Sequence, residues 1–160
     1  MIYKRLEKKE YKKIMGSSDS EINQSHLVLS FIDFDFDPNL ITKKLKLEPT
    51  SIGEKGEEYL IGSQKKISKF REISHWDFEW KTQSNDFIGN LIEKFFNEII
   101  IPRISSIKEI GLNCKKIRFT IVQYYYSGHN LGYGFEKEKI KILADINAEI
   151  DMDIYCLCED

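Results

Sequence analysis

A chain of 160 residues, 41% of them hydrophobic, is the size of one globular domain with a real core. Its 24 Lys and Arg against 26 Asp and Glu leave a formal charge of -2, so no overall basic field exists to hold a phosphate backbone, which excludes nucleic acid as a general partner. The lysine-rich start lacks the apolar core of a signal peptide, and no stretch approaches the roughly 20 apolar residues of a membrane span, so a soluble cytoplasmic protein with no membrane partner is expected.

Residues 1–25 read as a charged N-terminal arm: Tyr3 to Ile14 has a thin apolar side, and GSSDSEINQS is linker chemistry. A single α+β domain is expected over residues 26–160. It opens with a strand from His26 to Phe36, apolar at Val28, Ile32, Phe34 and Phe36 on the even face. The odd face is apolar at Leu27, Leu29 and Phe31, then acidic at Asp33, Asp35 and Asp37. Three aspartates at alternate positions would project together, as the carboxylates of many metal sites do. Asp37 precedes Pro38 and the helical run NLITKKLKL, so it also suits an N-cap, with Pro38 in the first turn.

Residues 48–75 hold Pro49, Gly53, Gly56 and Gly62 among many charges and predict a long surface loop or loose hairpin. Its front is acidic (Glu54, Glu57, Glu58) and its back basic (Lys65, Lys66, Lys69, Arg71). SHWDFEWKT alternates strictly, Trp76, Phe78 and Trp80 against Asp77, Glu79 and Lys81, which predicts a half-buried strand. From about Asn85, a plausible cap, Phe87, Ile88, Leu91, Ile92, Phe95, Phe96, Ile99 and Ile100 recur at helical steps. Pro102 should kink or interrupt that helix, and Ile104, Ile107 and Ile110 carry its stripe to a stop at Gly111.

KKIRFTIVQYYY predicts a strand with Ile117, Phe119 and Ile121 opposite Arg118 and Thr120. EKEKIKILADI predicts a helix with Ile140, Leu143 and Ala144 inward. AEIDMDIYCLC closes the chain as a strand, with Ile150, Met152, Ile154 and Cys156 on one face and Glu149, Asp151, Asp153 and Tyr155 on the other. Strands with one polar face argue for a two-layer α+β sandwich. Its mixed or mainly antiparallel sheet has about four to five strands, with helices packed on one face.

The polar face would gather Asp77, Glu79, Lys81, Arg118, Thr120, Asp151, Asp153 and Tyr155. Paired carboxylates can hold a hard cation or divide acid and base roles, but the cations here are also the counter-charges a solvated face needs. His26, His75 and His129 have no nucleophile motif beside them, and there is no GxSxG, GxxxxGK[ST], GxGxxG or HExxH. Cys114, Cys156 and Cys158 lack disulfide or zinc spacing and fit reduced thiols. No catalytic residue, metal set or cofactor is expected. Tyr124, Tyr125, Tyr126, Tyr133 and Phe135 crowd the loop SGHNLGYG, as plugs for the end of the core or as interface anchors.

FDPNLITKKLKLEPTSIGEKGE, HWDFEW, a long helix and LADINAEIDMDIYCL, in that order, resemble the bacterial family known as domain of unknown function 4279. The likeness covers roughly residues 27–157 and rests most on Asp37-Pro38, Ile41-Thr42, Leu45, Leu47, Pro49-Thr50, Lys55-Gly56, Trp76 and Ile150 to Tyr155. Departures are Lys46, where members tend to have glycine, the basic insertion before Trp76, and the arm. The resemblance implies an α+β domain and supplies no activity.

By analogy with small bacterial families that lack catalytic motifs, the leading expectation is a non-catalytic protein-binding domain of immunity type. It would neutralise a toxin domain, its polypeptide partner, by direct binding, as a monomer or weak dimer. Partner contacts are expected from Asp33, Asp35, Glu54, Glu57, Glu58, Asp77, Glu79, Arg118, Tyr124, Tyr126, His129, Tyr133, Asp151 and Asp153. Asp37, Pro38, Trp76 and Trp80 are expected to be structural. The alternatives are a small-ligand-binding regulatory or housekeeping domain and a metal-assisted hydrolase using Asp33, Asp35, Asp151 or Asp153.

Overall fold

The structure, a computed structural model, describes residues 23–61, 67–83, 86–126 and 132–157. The arm up to residue 22, Gly62, Lys65, Lys66, the Asn85 cap, His129 and Cys158 lie outside the described residues. Seven strands are described: β1 (Gln24–Ile32), β2 (Ser51–Gly53), β3 (Glu58–Ile61), β4 (Ile67–Phe70), β5 (His75–Gln83), β6 (Lys116–Tyr125) and β7 (Ala148–Cys156). The α-helices are α1 (Asn39–Leu45), α2 (Ile88–Phe95), α3 (Ile104–Gly111) and α4 (Lys137–Asp145).

Five strands form one sheet in the order β2-β5-β1-β6-β7, while β3 and β4 pair with each other as a separate hairpin. β1 lies antiparallel to both β5 and β6, and only β6 and β7 run parallel. A parallel neighbour needs a crossover connection, which α4 supplies between them. The sheet is therefore mixed, and the domain is α+β.

Alternation decides which face is covered. Leu27, Leu29 and Phe31 of β1, Trp76 of β5, and Phe119 and Ile121 of β6 are fully buried in one cluster with Ile41, Ile88, Ile92, Phe95, Phe96 and Ile107 from the helical layer. Phe95 sits at the centre, its ring 5.5 Å from Phe119 and 5.9 Å from Trp80. Trp76 is tied as well as buried, because its indole N–H donates to Thr42 Oγ1 of α1 at 2.9 Å. Both tryptophans thus serve the core. Among the described residues no helix is long and apolar enough to cross a membrane.

The helix expected from residue 85 to 111 is interrupted as Pro102 requires. α2 passes into a π-helical turn, Phe96–Ile100, and a 3-10 turn, Ile101–Arg103, before α3 resumes. Proline has no N–H, so carbonyls one turn earlier lose their donor. Arg103 replaces it: its Nη1 donates to the carbonyls of Glu98 (2.8 Å) and Ile99 (3.0 Å), and its Nε donates to the Leu45 carbonyl at the end of α1 (2.8 Å).

Three expectations are corrected. β1 ends at Ile32 rather than Phe36, because Asp33 adopts φ 58 and turns the chain. The backbone there is held by Ser74: Asp33 N–H donates to the Ser74 carbonyl at 2.9 Å, Phe34 N–H donates to Ser74 Oγ at 2.7 Å, and that hydroxyl donates back to the Phe34 carbonyl. Phe34 is consequently a core residue outside the sheet. In α4, Ile140 and Ala144 face outward, and Lys139 and Leu143 are buried instead. Lys139 Nζ donates to Glu136 (2.8 Å) and to Glu93 of α2, which raises the lysine pKa and lowers that of Glu93. On β7, Ile150 and Cys156 are exposed, as befits an edge strand.

Lys46 ends α1 in the left-handed region (φ 54, ψ 44), its N–H bonded to the Thr42 carbonyl. A side chain there is strained, and glycine would relieve it. Lys46→Gly is expected to stabilise the protein by about 1 kcal/mol, raising Tm by about 2–4 °C in thermal unfolding. Arg103→Ala is expected to cost about 2–3 kcal/mol in denaturant titration, with Arg103→Lys recovering little because one ammonium cannot span three carbonyls.

Candidate functional site

Among the described residues, one face of the sheet carries no helix, and this helix-free face is built by the strand positions that alternate with the core. Register lines up Asp77, Ser30, Arg118 and Glu149 in one row; Glu79, Val28, Thr120 and Asp151 in the next; and Lys81, His26, Val122 and Asp153 in a third. Gln24, Tyr124 and Tyr155 close the end. Two carboxylate columns result, one on β5 and one on β7, flanking a nearly neutral floor. They stand three strand spacings apart, about 14 Å.

Most of the charge is matched locally. Arg118 lies 3.5 Å from Asp151 and 3.8 Å from Glu149, Lys116 lies 2.8 Å from Glu149, and Lys81 lies 3.2 Å from Glu79. His26 Nδ1 is 2.7 Å from Glu79 Oε1, the shortest polar link from the floor to a column. The Tyr124 ring meets His26 edge-on at 5.8 Å and stacks on Tyr155 at 4.8 Å. Burial raises the Tyr124 pKa, and the neighbouring Tyr155, Asp153 and Glu79 raise it further. The exposed pairs among these contribute little to stability and set the pattern of charge on the surface.

The other candidates are dispersed. Asp33, Asp35 and Asp37 share no strand face: Asp33 pairs with Lys115 at 3.4 Å, Asp35 is exposed, and Asp37 Oδ1 accepts the Asn39 N–H at 2.8 Å at the start of α1. The cap position itself is Pro38 rather than the expected Asp37, which bonds the backbone from one residue before it. Glu57 accepts from Glu54 N–H and from Arg71 Nε, both at 3.1 Å, and Glu58 accepts from Ser68, so these acids brace the β3–β4 hairpin. Tyr126 N–H donates to Asn23 Oδ1 at 3.0 Å. Tyr133 packs on the core and donates its hydroxyl to the buried Gln123, the plug of the two roles considered.

Among the described residues, no three His, Cys, Asp or Glu side chains converge as metal ligands. Cys114 is half-buried beneath α3, and burial pushes its thiol up to about 11, away from nucleophilic use near neutrality. The cleft beside the 48–75 segment is a groove of about 280 Å³ lined by Tyr59, Phe70, Arg71 and His75.

Three polar arrangements were not legible in the sequence. The His26–Glu79 pair lies 53 positions apart and is visible only through register. The Ser74 lock and the Arg103 clamp are single polar residues facing backbone, which leave no periodic trace. Pro102, which frees carbonyls, is the one sequence signal that points to such a clamp.

With the sheet in view, the family comparison is direct: residues 23–157 match the model described as Domain of unknown function (DUF4279), and the chain belongs to that family. The match begins one residue before β1 and ends one residue after β7, so it takes in the whole sheet and its helices. No curated protein and no solved structure matches the chain significantly.

Burial pushes the Tyr133 hydroxyl up to about 12 from an ordinary value near 10. Above the ordinary value the unfolded chain loses a proton that the folded one keeps, so stability is full below about pH 10 and falls as pH rises toward 12. Denaturant titrations across that window should show a steeper fall for the native protein than for Tyr133→Phe.

Proposed function

We propose that the protein is a non-catalytic binding domain of immunity type, which engages a basic polypeptide such as a toxin domain on the helix-free face of its sheet. The supporting observation is the pair of carboxylate columns, Asp77 and Glu79 on one side and Glu149, Asp151 and Asp153 on the other, closed by the Tyr124–Tyr155 stack. Tyrosine anchors beside a patterned charge field suit selective docking more than chemistry. The protein acts in the cytoplasm under this reading, and Arg118 sets register by repelling misplaced cations.

Less supports the two alternatives. The groove of about 280 Å³ lies just below the roughly 300–1,000 Å³ of small-molecule sites. A hydrolase would have to gather aspartates of which Asp33 is already paired with Lys115.

The test is gentle purification of the tagged protein from its native host, followed by mass spectrometry of any polypeptide present in stoichiometric amount. The doubly reversed variant Asp151→Lys/Asp153→Lys should lose that companion at least tenfold, while circular dichroism stays native. A protein that emerges alone over several salt concentrations, or a companion that ignores the reversal, would sink the proposal.

A further inference from the structure

Among the described residues, the sheet ends at β7 with no strand beyond it. The inner side of β7 pairs with β6 in unbroken register from Ala148 to Cys156, and none of its nine residues is buried. Alternate residues of a strand direct N–H and C=O to the same side, so about half of them offer a donor and an acceptor outward. Sheets usually blunt such an edge with shortness, a bulge, proline or lysine. AEIDMDIYC has neither proline nor lysine, and its register carries no bulge. The other margins are short by comparison. β2 has three residues and β3 and β4 four each, and Thr50 extends the cover of β5 by bonding the Asp77 carbonyl and the Glu79 N–H.

The two faces of this edge differ in chemistry. Glu149, Asp151 and Asp153 line the helix-free side, and Ile150, Met152 and Ile154 the other, where Ile150 is 41% exposed. From β6, Lys116 meets Glu149 and Arg118 meets Asp151, while Asp153 has the uncharged Val122 beside it. A carboxylate accepts several hydrogen bonds, so a second cation can approach each acid from the outer side. A second copy of the chain is a poor occupant. Two β7 strands paired across a two-fold axis run antiparallel, and with Met152 opposite Met152 each Asp151 would face an Asp153. A strand with lysine or arginine at alternate positions makes the attractive pairing instead.

We infer that β7 is a docking edge, to which an extended segment of the partner, alternating basic and apolar residues, adds as a further strand. Its main chain takes up the outward N–H and C=O groups, its basic residues meet Glu149, Asp151 and Asp153, and its apolar residues cover Ile150 and Ile154. Backbone pairing supplies affinity and the alternation supplies selectivity. The inference rests on the binding reading above and names the way in which the basic polypeptide is held.

The test adds a capped heptapeptide of alternating lysine and valine to nitrogen-15-labelled protein and follows amide exchange by NMR. One control peptide has the same composition with lysines and valines in separate blocks. Two more carry N-methyl groups on alternate residues, one on the valines and one on the lysines, so that only one of them loses the donors that face β7. The expected result is slowed exchange at alternate residues between Glu149 and Tyr155, with the β6 amides unchanged. Affinity should fall by about tenfold or more for the block peptide and for one methylated peptide but not the other. It should fall several-fold in Asp151→Asn/Asp153→Asn. Equal affinity for all four peptides, binding without protection of β7, or no binding at all would overturn the inference. The companion expected from the host is read separately, so failure here is distinct from failure of the partner-binding proposal.

Discussion

Burial of Leu27, Leu29 and Phe31 on the odd face of β1 is the constraint on which the rest of the molecule depends. β1 is the middle strand, paired along its length with β5 on one side and β6 on the other. A slip of one residue would send His26, Val28 and Ser30 into the core and expose the three large side chains. The register is fixed by that penalty, and with it the membership of both faces. The described helices of the core then have one side of the sheet on which to bury their apolar stripes.

The helical layer is fastened by a few polar contacts at its breaks. Thr42 holds Trp76, Arg103 closes the carbonyls that Pro102 opens, and Lys139 joins α4 to α2 through Glu93. Each sits where an apolar contact would leave a backbone group or a charge without a partner. The open face shows the opposite economy. Its pairs are exposed, add little stability, and arrange sign and spacing across four strands. Under the proposed function that arrangement supplies recognition by charge and shape, with Tyr124 and Tyr155 at the end of the sheet where β1 begins.

Alternation made the Trp76 strand, the Phe119 strand and the polar face of the sheet legible, and proline's missing N–H made the interruption at Pro102 legible. The failures are local and have physical causes. Residues 33–37 continue a period of two in composition, but the backbone follows the hydrogen bonds offered by Ser74, and aspartate tolerates the left-handed turn at Asp33. In α4 the apolar Ile140 is exposed while Lys139 is buried, its ammonium paired with Glu136 at the helix start and with Glu93 of α2. Of the candidate surface, the acids of β5 and β7 were placed on the correct face by parity alone. Their neighbours across strands, above all His26 beside Glu79, required the register.

Under the proposed function, basic polypeptide engages the protein on the helix-free face of its sheet. Hydroxyl-radical footprinting of the complete chain, in host extract and again at about 1 M salt to screen charge contacts, tests it most directly. The account predicts that salt raises the reactivity of His26, Tyr124 and Tyr155 and leaves Phe87, Leu112 and Ile140 of the helical layer unchanged. Salt-dependent exposure of the helical residues instead, or no change on either face, would contradict it.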